Sequence, residues 1–160
     1  MNAYQKPPVT VLELPLELYA LLNQRLAEGI DLQMKLKQAQ WNVKGANFLG
    51  LHQLFDSIHA AVALHVEQIA EQIVQKGGIA EGTVQVSAAR SRLADYPLVL
   101  SDGLAHIDAV QKALTTFRHE IRNTVDDADE LDDPETAALF ISILRSLDKW
   151  VRLIEAQAGT

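Results

Sequence analysis

Five side chains in one stretch of the sequence have the chemistry to bind a metal ion: His52, Asp56, His59, Glu67 and Glu71. At about 100° of turn per residue, a helix through them gathers all five into one stripe about 120° wide. Imidazole nitrogens with carboxylate oxygens suit iron, manganese or zinc, and a set that leaves coordination positions open suits oxidation of the bound ion better than structural zinc storage. His52 and Asp56 are one helical turn apart, as are Glu67 and Glu71, but the second pair lies about 15–20 Å further along the helix at ~1.5 Å per residue. One chain therefore cannot bring both pairs to one ion. If all four serve one site, a second copy, related by a two-fold axis, must lay its own helix antiparallel to the first. A solvated helix face carries the same residue types, so spacing alone leaves that alternative open.

Composition narrows the chemistry. The 160 residues contain no Cys, which excludes disulfide scaffolds, thiolate metal sites, catalytic thiols and iron–sulfur clusters, and leaves five His and 21 Asp+Glu as the strong ligands. Against 14 Lys+Arg these carboxylates give a formal net charge of −7, and a pI near 5.1 argues against gripping nucleic acid with the folded surface. No apolar run reaches the ~18–20 residues of a membrane span, and the start MNAYQKPPVTVLELP lacks the basic and apolar regions of a signal peptide. A cytoplasmic protein is expected.

The elements that must position the stripe are helical. Residues 1–14, with Pro7 and Pro8, read as an extended arm; from Pro15 onward the chain reads as a single domain to about residue 158. Apolar residues from Leu18 to Leu36 recur at helical spacing and predict a first helix over 15–42. Gly45 ends that segment, and Asn47 can cap a second helix that carries the stripe to Lys76, where Gly77-Gly78 stops it. The long connection that follows holds a short helix at 87–93 and a stop at Tyr96-Pro97. A third helix starts at Ser101 or Asp102 and fades in the acidic run 126–133; a fourth starts at Asp133-Pro134-Glu135 and continues to Ile154. Four long helices without strands, with a long crossover between the second and third, make an all-α, ferritin-like four-helix bundle with a short extra helix in the connection.

The segment from 37 to 86 closely resembles the Dps family of mini-ferritins, and the resemblance extends over most of the chain. Its specific parts are WNVKG at 41–45, the Asn47-Phe48 pair, Leu51-His52 with Asp56 four residues on, the stretch from Ala70 to Gly78, and SLDKWVRLIEA at 146–156. The resemblance implies four-helix subunits assembled into a hollow dodecamer with tetrahedral symmetry. Ferroxidase sites would lie at its two-fold interfaces, where His52 and Asp56 of one subunit face Glu67 and Glu71 of the next. Fe(II) would be oxidised there, with hydrogen peroxide or O2, and stored as ferric mineral, protecting the cell from oxidative damage. Zinc or manganese would fit the same ligand types.

Two positions depart from the family pattern. Gln40 stands immediately before Trp41, where the family usually has His, and offers only a neutral amide oxygen; Glu67 stands where Asp is commoner. His59, on the stripe one turn beyond Asp56, is a candidate replacement ligand. A degenerate shell that compacts DNA or holds another metal is the alternative. DNA-binding members commonly use Lys-rich termini, however, whereas this arm has only Lys6 and the last ten residues only Arg152. DNA binding, and with it nucleoid association, is expected to be weak or absent.

Beside the site by resemblance, Trp41 serves packing or intercepts radicals. The acidic cluster Asp126, Asp127, Asp129, Glu130, Asp132 and Asp133 reads as a solvated loop that favours the N-terminus of the following helix. In a shell of this type the region lines a three-fold pore, where repeated carboxylates would draw Fe(II) inward. His65 points well away from the stripe and is expected far from the core or at an interface. His106 and His119, on nearly opposite faces of the third helix, receive no role.

Overall fold

A computed structural model describes residues 14–159. The expected arm thus lies outside the described residues except for Leu14, which is buried in the core at 4 % exposure and belongs to the bundle. The elements are α1 (Leu16–Asn42), α2 (Phe48–Gln75), α3 (Val84–Arg90), α4 (Gly103–Glu130) and α5 (Pro134–Ala158), with no strand among the described residues. The first pair of long helices packs as one hairpin and the last pair as another; α1 then meets α4, and α2 meets α5. This is the expected ferritin-like bundle.

The apolar face of each long helix explains the assembly. Leu18, Leu22, Leu32 and Leu36 of α1, Phe55, Ile58, Ile69 and Ile73 of α2, Phe117 and Ile121 of α4, and Phe140, Ile143, Leu147 and Ile154 of α5 are fully buried. Truncating one of the three core phenylalanines to Ala would cost ~3–5 kcal/mol. Close approach of α1 requires Gly29, because a Cβ there would lie 2.8 Å from a methyl of Val66 and 3.5 Å from the Phe117 ring.

Helix ends follow the local chemistry. At the end of α2, Gly77 takes φ 86°, its N–H donates to the Val74 carbonyl (3.0 Å), and the Gly78 N–H donates to that of Ile73 (2.9 Å); this is the Schellman closure that only a glycine enters without strain. At the end of α4 the same closure is made by Asp132, with φ 53°, and by Asp133, whose N–H donates to the Ala128 carbonyl (2.9 Å). The Asp133 carboxylate then caps α5, accepting from the Thr136 N–H (3.1 Å) and hydroxyl (2.8 Å). The third long helix therefore does not fade at 126: Asp126, Asp127, Asp129 and Glu130 occupy its last two turns.

The crossover is tied down along its length. The short helix starts at Val84, earlier than expected, because Thr83 caps it by accepting from the Val86 N–H (3.3 Å). Asn23 and Gln24 of α1 donate to the carbonyls of Ile79 (3.1 Å) and Arg90 (2.6 Å). His106, buried on α4, donates from Nε2 to the Leu100 carbonyl (3.0 Å) and accepts the Tyr96 hydroxyl at Nδ1, so it staples the connection to the bundle. Elsewhere in the bundle, Arg25 bridges Glu28 (2.9 Å) and Glu120 of α4 (2.7 Å); burial pushes the Glu28 carboxyl up, opposed by Arg25.

The turn at 131–133 makes a two-sided prediction. Asp133→Ala loses the cap of α5 and should destabilise by about 0.5–2 kcal/mol. Asp132→Gly relieves a left-handed non-glycine residue and should stabilise by up to ~1 kcal/mol. Urea or thermal unfolding of the two variants checks both signs.

Candidate metal centre

Helix α2 is one uninterrupted rod from Phe48 to Gln75, so it holds the stripe in the register that the spacing required. His52 lies at its N-terminal end beside the last turns of α1. The His52 Nδ1–H donates to the Gln40 carbonyl (3.0 Å), which fixes the tautomer and leaves the Nε2 lone pair as the free donor atom, as in metal sites where a carbonyl orients the ligating ring. Phe48 lies against the His52 ring at 5.3 Å between centroids. One turn on, Asp56 is exposed, and His59 follows, half-buried.

Lys37, absent from the sequence-based site, sits at the centre of this group. Its Nζ donates to the Gln40 side-chain oxygen (2.8 Å) and to Asp56 Oδ1 (3.2 Å). The hydrogen bond from Lys37 holds the Asp56 carboxyl below the usual carboxylate range. Burial, followed by the charge of Lys37, lowers the His59 imidazole, keeping it neutral and its lone pair available. A protonated amine thus stands where Gln40 and Asp56 converge, the position a cation would take. The signal was legible in principle: Lys37 precedes Gln40 by three residues on one face of α1. Gln40 itself is buried at 8 % exposure, its amide oxygen engaged by Lys37, and its contribution to the group is the backbone carbonyl that orients His52.

Glu67 and Glu71 are exposed further along α2 and do not join this group. Among the described residues no three His, Asp or Glu side chains converge on one point that could hold a metal ion. Between the two halves α2 carries Ala60, Ala63 and Leu64, and beyond them Val74; Leu64 and Val74 are 57 % and 58 % exposed. Trp41 is 63 % exposed beside the group.

Other residues fall differently from expectation. His65, expected far from the core, is buried at 5 % exposure and bonds Ser146 of α5 (2.8 Å) and Gln68 (3.3 Å); the stripe's opposite face is the one that packs inward. His119 is exposed and takes part in no such contact. In the acidic cluster only Asp133 serves the next helix as a cap. Asp126, Asp127, Asp129 and Glu130 instead stand at the C-terminal end of α4, where the helix dipole disfavours negative charge.

The model of the ferritin-like domain family matches residues 19–160. A "DNA protection during starvation protein" (Dps) of Agrobacterium fabrum is 38% identical over 136 residues, 85% of this chain and 84% of that protein. The chain belongs to the Dps family. Among solved structures, DpsA14 of Streptomyces coelicolor matches with a TM-score of 0.84 at 31% identity, over 88% of this chain and 83% of that one. A Dps from Microbacterium arborescens, solved in a high-iron form, matches with a TM-score of 0.84 at 25% identity, over 98% of both chains. No helix among the described residues is long and apolar enough to cross a membrane.

Removing the internal cation of this Dps chain gives a direct check on the geometry. In Lys37→Met the Asp56 carboxyl should return upward toward the ordinary carboxylate range. A 13C NMR titration of the carboxylates measures the shift, and an unchanged Asp56 would show that Lys37 does not govern it.

Proposed function

We propose that this chain is an iron-oxidising, iron-storing Dps protein whose sites form between subunits. The observation that carries the proposal is the division of one stripe into two halves on a rigid helix. His52 and Asp56, with His59 beside them, lie at one end, while Glu67 and Glu71 lie ~16 Å or more further on. Laying a second α2 antiparallel across a two-fold axis brings the histidine half of each copy to the carboxylate half of the other. It also covers the exposed Leu64 and Val74 and gives Trp41 a packing surface. Iron is the cargo favoured over zinc or manganese, since the Microbacterium relative was solved in a high-iron form. Two Fe(II) give one electron each to hydrogen peroxide, which takes up two protons and leaves as two waters. No hydroxyl radical is released, and the ferric product is stored in a dodecameric, tetrahedral shell in the cytoplasm.

In this reading the chain's own residues prepare the site. The Gln40 carbonyl aims His52, and Lys37 keeps Asp56 ionised while the site is empty of iron. Entering Fe(II) displaces the Lys37 amine, so the site binds iron more weakly than one with His at position 40. The acidic end of α4 supplies the entry funnel: its carboxylates oppose the helix dipole, a cost in stability that attraction of cations explains.

DNA protection in this proposal comes from removing Fe(II) and peroxide. At −7 per subunit the net charge opposes a nucleic-acid backbone, so a stable gel shift at neutral pH and physiological salt is not expected.

Complementation tests the shared site. Asp56→Asn and Glu71→Gln should each lower Fe(II) oxidation by about 100-fold or more, at least the loss that follows removal of an outer-shell partner. When the two variants are co-assembled, every mixed two-fold pair regains one intact site, and activity should return. Co-assembled shells as inactive as the single variants would defeat the inter-subunit reading. Gln40→His and Lys37→Met should each tighten Fe(II) binding, read by titration under anaerobic conditions. Replacing Asp129 and Glu130 by Asn and Gln should slow iron uptake and yet stabilise the subunit by ~0.3–1 kcal/mol per charge; stopped-flow uptake and thermal unfolding must move in opposite directions.

A further inference from the structure

Away from the metal centre, the seam between α4 and α5 reverses the charge of the molecule. Arg118 and Arg122 of α4, one turn apart, both reach the same carboxylate oxygen of Asp148 on α5, at 3.5 Å and 4.0 Å. Both distances exceed the ~2.7–2.9 Å of a well-formed charge-assisted hydrogen bond. One acceptor is shared by two guanidiniums and satisfies neither. On α5, Arg145 and Arg152 lie one turn to either side of Asp148, at spacings of three and four residues that place them on the same face. Both are exposed and neither is ion-paired.

Because α4 and α5 run antiparallel through the short turn at 131–133, Arg122 falls on the Arg145 side of Asp148 and Arg118 on the Arg152 side. Two guanidiniums therefore reach one carboxylate and two more stand one turn to either side of it on α5, a local charge of 4 − 1 = +3 in a chain of net −7. Lys149 adds a further cation, held over the Trp150 ring at 4.6 Å. The nearest further carboxylates, Asp126 one turn beyond Arg122 and Glu155 one turn beyond Arg152, are exposed and make no ion pair with these arginines. Folding thus brings like charges from two helices together without the acids that would neutralise them.

We propose that this arginine seam binds a small phosphate-type oxyanion, held outward of Asp148 by the forks of Arg145 and Arg152 with Arg118 and Arg122 behind them. Planar guanidiniums pair with tetrahedral oxyanions through two parallel N–H···O bonds, which point-charge lysines cannot do. The choice of a small anion over nucleic acid follows from range. At physiological salt, charges separate electrostatically beyond ~8 Å, so a phosphate ion seated in the seam feels the local +3. A duplex spreads its charge over the whole acidic surface and is repelled. This site is independent of the iron chemistry proposed above and would persist were that reading wrong.

Isothermal titration calorimetry of the iron-free, assembled protein with inorganic phosphate tests the proposal. Saturable binding of one phosphate per subunit is expected, with sulfate competing and chloride at equal ionic strength not competing. The doubly substituted R145Q/R152Q protein, altered only at exposed unpaired side chains, should bind on the order of tenfold more weakly or worse. Asp148→Asn removes the competing carboxylate and should bind several-fold more tightly, a gain that a merely structural ion pair would not produce. No saturable phosphate binding, no effect of R145Q/R152Q, or weakening by Asp148→Asn would each overturn the proposal. So would a duplex oligonucleotide that binds through these arginines more tightly than phosphate.

Discussion

The organising constraint of this molecule is the straightness of α2. A helix of 28 residues cannot fold its two ends toward each other, because its backbone hydrogen bonds fix the rise at ~1.5 Å per residue. His52 and Asp56 are thereby held apart from Glu67 and Glu71, and in the proposed site the second half comes from another subunit. The inward face of the same rod carries Phe55, Ile58, Ile69 and Ile73, fully buried, so the stripe has no freedom to rotate inward. Core packing on one side and the divided stripe on the other are consequences of a single period.

Around that rod the structure uses charge in three different ways. The buried Arg25 bridge to Glu28 and Glu120 links α1 to α4 inside the bundle, where removing Arg25 would leave the buried Glu28 without its counter-charge. Lys37 is an internal cation at a surface group, balancing Asp56. The acidic end of α4 is the opposite case, with negative charge placed where the helix dipole penalises it. A fold optimised for stability alone would not choose that placement, and it is the strongest structural reason to read those carboxylates in functional terms.

Much of the architecture was legible in the residues. The long helices, their Gly77-Gly78 and Asp133-Pro134 boundaries and the all-α class follow from apolar period and capping chemistry, which act within a few residues along the chain. Where the structure differs from those expectations, a group outside the element decided, adjacent in sequence for the short helix and on another segment for the histidines. The short helix starts at Val84 because Thr83 serves as its cap. His65 turned out to be a core residue because Ser146, on another helix, meets it. His106, given no role, became a staple through Tyr96 and Leu100 in the connection.

The sequence by itself determined the helical period, the ligand types on one stripe and the reach that forbids a complete site in one chain. Those are properties of a single helix and need no neighbour. Only the tertiary structure decided which groups surround His52 and Asp56. Lys37 and Gln40 arrive from α1 because the two helices pack as a hairpin, and their hydrogen bonds depend on that packing geometry. The same holds for Arg118 and Arg122 of α4, whose meeting with Asp148 of α5 is set by the register of two antiparallel helices. Spacing along one chain specifies a face; which faces meet is settled by the core that buries them.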